Sequence, residues 1–350
     1  MGDGGFRVGV VFGAVAAVVA ALVALRGGGG PARHPWAGLA FVGAAYAGFD
    51  ERSLGEGDLL AGLAVLGLGA AAAARLLDGR GVAGRRAVEV AVTVPGAVLV
   101  ARSADGRGPG WVPPALAVVI VVGGVLVADI DRRVQLAPGT RGPLGLSAAG
   151  LVPVLLAVTV FGVWVTTPET EHVVVLAGVT LPVALLGWPR PLASLGTAGA
   201  SLVTALVAWT VAVDGAERPG AVIGGFACLG VLAVEPATRW ALALHRDGAA
   251  GATADPADAD DPADRGDSAD ADDADGQGVD ADRSGRSPDV WRTVVGLAAV
   301  HVVLVAVCAR VAGLETSAVT AFLLSVVAYA VAAGALALAP PFAGDGADDH

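Results

Sequence analysis

Few side chains in this chain could do chemistry, because most of its length is apolar. His301 lies midway along Thr293–Ala309, with Val and Ala on both sides. An imidazole there hydrogen-bonds to a neighbouring helix, relays protons, or ligates a metal or substrate, since histidine titrates near neutrality. No second His or carboxylate stands one helical turn away, so a metal would need ligands from other segments. Asp129-Ile130-Asp131 offers two carboxylates, hard oxygen ligands for a divalent ion that bridges to a diphosphate. Arg132 and Arg133 follow and would neutralise the same pair. Glu89 stands three and four residues after Arg86 and Arg85, which reads as a helix-end ion pair or as a proton or cation ligand. Glu235 and Arg239 are spaced i, i+4 in the favourable order, with Pro236 between them, as in an interfacial ion pair. The segment 167–172 clusters Glu169, Glu171 and His172, a weak cation site or simply solvated charge.

Those residues depend on the elements that hold them, and hydrophobic stretches dominate the chain. A membrane span needs about 20 mostly apolar residues to cross a hydrocarbon core of roughly 30 Å. Seven stretches come close: Val8–Leu25, Leu59–Leu77, Val112–Ala128, Leu144–Thr166, Val173–Trp188, Leu192–Val213 and Ser317–Ala339. Trp36–Phe49, Ala87–Ala101 and Thr293–Ala309 are shorter or polar-edged, and Gly220–Leu244 is apolar only as far as Val234. The fold class expected is therefore all-α, a polytopic transmembrane bundle of about eleven spans. Pro95, Pro113, Pro114, Pro153 and Pro182 fall in spans four to seven, where they are expected to interrupt the helices.

Composition agrees. The chain is 55% hydrophobic and 16% charged. A single soluble core for eleven all-round apolar helices fails on surface-to-volume grounds. There is no Lys and no Asn; all 22 basic residues are Arg. In this GC-biased, acid-rich composition the chain resembles the multi-span membrane proteins of halophilic archaea, a resemblance of composition and not of motif. The net charge of −11 comes from residues 247–290, where 14 Asp face only Arg265, Arg283 and Arg286. With no clustered basic footprint, nucleic acid is not an expected partner. Cys228 and Cys308 both fall in apolar stretches and are expected to be buried small hydrophobes.

The chain divides into a nine-span body over 1–246, an acidic disordered linker over 247–290, a two-span hairpin over 291–340 and a loose acidic tail over 341–350. With the N-terminus outside, the inside segments before the linker hold 12 Arg and the outside segments 6, which favours that orientation and places linker and C-terminus in the cytoplasm. All seven Trp lie near span ends, as interfacial indoles do. Zinc-protease, phosphate-loop and serine-elbow motifs are absent from the sequence, so no cofactor and no metal site is expected. The expected function is a small-solute or ion transporter in the cell membrane, with lipids as its surroundings. Alternatives are a membrane enzyme acting on a lipid or polyprenyl substrate through Asp129 and Asp131, and a non-catalytic scaffold.

Overall fold

The computed structural model describes residues 2–27, 36–49, 57–76, 82–135, 151–166, 170–187, 192–232, 234, 237, 300–310 and 318–338. Among the described residues there are eleven α-helices and no strand. They are α1 (Gly2–Gly27), α2 (Ala37–Gly48), α3 (Gly57–Leu76), α4 (Val82–Arg102), α5 (Val112–Gln135), α6 (Leu151–Thr166), α7 (Glu171–Ala184), α8 (Gly196–Asp214), α9 (Pro219–Leu232), α10 (Val300–Arg310) and α11 (Ala318–Leu338). Each overlaps one apolar stretch of the sequence. Three are long and apolar enough to cross a membrane: Gly4–Gly27 in α1, Val112–Asp131 in α5, and α8. α2 has 12 residues, about 18 Å of rise, short of a roughly 30 Å hydrocarbon core.

α8 is the centre. Every residue from Gly199 to Ala212 is buried. It packs against α2, α3, α4, α5 and α7. A helix apolar all round has no solvent face and belongs inside a bundle. Leu202, Leu206 and Trp209 fill space on it, while Gly199 lets α2 come close: a Cβ on Gly38 would lie 2.5 Å from the Gly199 Cα. Contacts fix the helix directions. α1 runs parallel to α7, and α2 to α8; α3 and α4 are antiparallel, as are α5 and α8. α6 and α10 run parallel, through Thr159–His301 and Gly162–Val305.

The outer helices are patterned inside out. On α1 the buried positions are Gly9, Gly13, Ala17, Ala20 and Ala24. Val11, Val15, Val18, Val19, Leu22 and Leu25 are 53–66% exposed. α11 repeats this, with Ala321, Ser325 and Ala332 buried while Val319, Phe322, Leu323, Val327 and Val331 face outward. A water-facing helix does the reverse. Small inward residues let backbones approach: a Cβ at Gly13 would meet Val179 O at 2.8 Å, and one at Gly9 or Gly178 would collide with backbone across the same α1–α7 interface.

The prolines behave differently from the sequence expectation. Pro113 and Pro114 open α5, and Pro153 lies in the first turn of α6. First-turn N–H groups lack intrahelical partners anyway, so proline there starts a helix. Pro182 is in the last turn of α7. Pro95 also stands inside its helix, farther from either end of α4. Trp209, expected at an interface, is 1% exposed inside the bundle, whereas Trp36 and Trp111 are each 39% exposed at helix starts. The linker, Glu235 and Arg239 lie outside the described residues.

Candidate functional site

Ionisable and polar side chains collect at the two ends of α8. At its N-terminal end, Asp131 on α5 is buried. Its Oδ1 accepts from Leu195 N–H (3.4 Å) and its Oδ2 from Gly196 N–H (2.9 Å). Helix N-termini leave donors unpaired and carry partial positive charge, so a carboxylate from a neighbouring helix serves as cap. Leu195, the chain's own N-cap residue, offers no side-chain acceptor. Gly196 takes φ +69°, a conformation suited to glycine, and this turns the entering chain onto Asp131. Asp129, two residues earlier, is also buried. Next to the cap, Ala37 N–H donates to Ser194 O at 3.0 Å, tying α2 to the same corner.

From this corner a polar stripe climbs α8. Thr197, Ser201 and Thr204 are spaced i, i+4, i+7 and share one face. That face meets two glycines of α5: a Cβ on Gly124 would lie 3.2 Å from Ser201 Oγ, and one on Gly123 would lie 3.0 Å from Thr204 Cγ2. Thr204 is at the middle of the 19-residue helix, about 12 Å of rise above Gly196. Ser201 Oγ–H donates back to Thr197 O at 3.2 Å.

At the other end, His172 in the first turn of α7 meets Asp214 in the last turn of α8. Nδ1 lies 2.7 Å from Asp214 Oδ1, and Val173 N–H donates to Oδ2 at 3.3 Å. Both side chains are buried, at 9% and 5% exposure. His172 stands edge-to-face on Phe49, with centroids 4.9 Å apart, and on Trp209 at 5.5 Å; Phe49 and Trp209 are 6.4 Å apart. The Arg107 guanidinium, from the turn between α4 and α5, sits 5.9 Å from the Trp209 ring centre. Among the described residues, the buried His172 Nε2 and Trp209 Nε1 have no hydrogen-bond partner.

The remaining candidates are apart from these ends. His301 on α10 is buried and points at α6: Nε2 is 3.1 Å from Thr159 Oγ1 and 3.2 Å from Leu155 O. Thr159 O–H donates to Leu155 O at 3.0 Å, so its oxygen accepts from His301 Nε2–H. Glu89 is buried on α4, and its backbone carbonyl accepts from Thr93 O–H at 2.9 Å. Cys228 and Cys308 are free and buried, Cys228 Sγ lying 3.9 Å from Val305 O. No group of three His, Cys, Asp or Glu side chains suited to a metal occurs among the described residues.

Sequence reasoning named His172, Asp129 and Asp131 but missed Asp214 and Arg107. The one signal at Asp214 is an acid closing an apolar stretch, which reads equally as a boundary charge. No family model, curated protein or solved structure matches the chain.

Proposed function

We propose that this is a multi-pass membrane protein that moves a small solute or ion along the α5–α8 interface. Membrane residence is supported by the three span-length helices and by the inside-out pattern of α1 and α11. The observation that carries the transport reading is the stripe Thr197–Ser201–Thr204. It runs from the Asp131 cap to the middle of the central helix, in close contact with Gly123 and Gly124 of α5. Hydroxyls on an inward face of a central helix are ligands of the type used for small solutes and partly dehydrated ions. In the orientation that the Arg distribution favours, Asp131 faces the cytoplasm and His172–Asp214 the outside.

The test is flux into proteoliposomes holding the full-length protein, using radiolabelled sodium, rubidium, chloride, glycerol and neutral amino acids as probes. At least one probe should enter faster than into protein-free vesicles. The double variant Ser201→Ala/Thr204→Val should slow it while leaving thermal stability near wild type. Flux unaffected by that variant, or absent for every probe, overturns the reading. Orientation is checked separately, with Cys228 and Cys308 replaced. A cysteine placed by Thr170→Cys should label with an impermeant thiol reagent in intact cells, and one placed by Ser268→Cys should not; the reverse pattern inverts the topology.

A further inference from the structure

We propose that His172, held by Asp214, is the proton-binding site of this protein, the place where protons enter the bundle from the α7 N-terminal end. The inference rests on the transport reading for its use and on independent geometry for its existence.

Asp214 settles which nitrogen is available. Its carboxylate can only accept, so Nδ1 of His172 must carry the hydrogen in the 2.7 Å bond. In the neutral ring Nε2 is then a bare lone pair. That atom is buried and has no partner among the described residues. A bare acceptor is an anomaly in a packed interior, and it points to a ligand with a hydrogen to give. The surroundings limit that ligand's size. His172, Phe49 and Trp209 form a closed triangle with centroid separations of 4.9, 5.5 and 6.4 Å, spacings of direct ring packing. No organic molecule fits between rings so close, but a proton requires no volume. Protonation at Nε2 yields an imidazolium whose charge Asp214 balances at contact distance.

Among the described residues, the turns at this end also carry Asp105, Glu217 and Arg218, all exposed. Asp214 is the carboxylate on α8. The Arg107 guanidinium lies 5.9 Å from the Trp209 ring centre. Glu171 next to His172 and Arg7 on α1 are exposed at the same end. Asp50, which follows Phe49, lies outside the described residues. Among the described residues, the charge in contact with His172 is Asp214, at the C-terminal end of the helix whose hydroxyl stripe begins at the other end.

Two measurements test this on the full-length protein. The first is the imidazole tautomer, by nitrogen NMR of histidine-labelled protein in alkaline buffer, with His172 assigned by its loss in His172→Gln. The Nδ1–H form with bare Nε2 is expected. Asp214→Asn should invert it: Val173 N–H requires the amide oxygen, so the amide NH2 faces His172 Nδ1 and forces the hydrogen onto Nε2. An Nε2–H tautomer in the wild type overturns the proposal. The second is proton entry into pyranine-loaded proteoliposomes, with valinomycin present and the outside acidified. Wild type should exceed protein-free vesicles, and His172→Gln and Asp214→Asn should fall by at least roughly ten-fold. Wild-type entry equal to protein-free vesicles, or His172→Gln equal to wild type, overturns it. Were either variant unfolded, the wild-type tautomer would still decide. Solute flux without proton entry removes this inference alone. Proton entry with no probe carried removes the solute reading and leaves this one.

Discussion

Alanine at Gly13 and alanine at Gly43 are the same chemical change, yet they should move stability in opposite directions. At Gly13 the new Cβ would lie 2.8 Å from Val179 O and 2.9 Å from Val179 Cα. Ordinary Cβ contacts begin at 3.4 Å, so α1 and α7 must part by about 0.6 Å there. The obstacle is helix backbone on both sides, and no rotamer change relieves it. A gap of roughly 0.5–1 Å forfeits a quarter to a half of each dispersion contact across the interface, and overpacking of this kind costs about 1–3 kcal/mol. Gly43 on α2 and Gly334 on α11 have nothing within 4 Å of the added carbon. There alanine removes only glycine's excess backbone freedom, a gain of about 0.5–1 kcal/mol. The two classes should therefore differ by roughly 1.5–4 kcal/mol. The chain carries its own reporter, because both free cysteines are buried. In mild detergent, a fluorogenic maleimide should react with Cys228 and Cys308 only as the bundle opens on heating. Gly13→Ala should open at a lower temperature than wild type, Gly43→Ala and Gly334→Ala at a slightly higher one. A Gly13→Ala protein at least as stable as wild type would refute the α1–α7 register and the argument built on it.

The same assay reads two further expectations. Asp131→Ala should destabilise by about 1.5–3 kcal/mol, because the buried Leu195 N–H and the half-buried Gly196 N–H lose a charged acceptor, and Asp131→Asn, which keeps one acceptor oxygen, should lose less. His301→Leu should cost only about 0.6 kcal/mol, the typical worth of an interhelical hydrogen bond in a membrane protein, since Thr159 keeps its bond to Leu155 O. His301→Gln should be near neutral, its amide N–H replacing the imidazole's.

The placement of helices was legible because apolar runs are one-dimensional: every helix from α1 to α11 overlaps a stretch visible in the sequence. Helix ends were less so. α2 closes at Gly48, where Phe49 turns to extended backbone, and α7 closes at Ala184, four residues short of Trp188, where its apolar run ends. Neither position carries a side-chain cap a reader could recognise. The partners of the charged groups were not legible at all. Asp131 looked like half of a metal-binding pair, but what it holds, the backbone of Leu195 and Gly196, has no sequence signature. His172 and Asp214 are 42 residues apart, and one sequence offers nothing to couple them. The Gly9/Gly13 spacing was visible, but in a chain with 51 glycines it could not be told from chance.

Because α8 is the hub, assembly has a schedule. Five partners of this helix, α2, α3, α4, α5 and α7, precede it in the chain, and α9, whose Gly225 meets Val211, follows. Between the end of α2 at Gly48 and the start of α8 at Gly196 lie about 150 residues, or roughly 7–30 s of synthesis at typical rates. Through that interval α2 waits without Gly199 to meet Gly38 and without Trp209 beside Phe49, and the α5 carboxylate Asp131 waits for the backbone it will cap. Nascent chains stopped before Asp214 therefore expose small and polar faces that the finished bundle hides. The window in which quality control can act on this protein is set by the timing of its eighth helix.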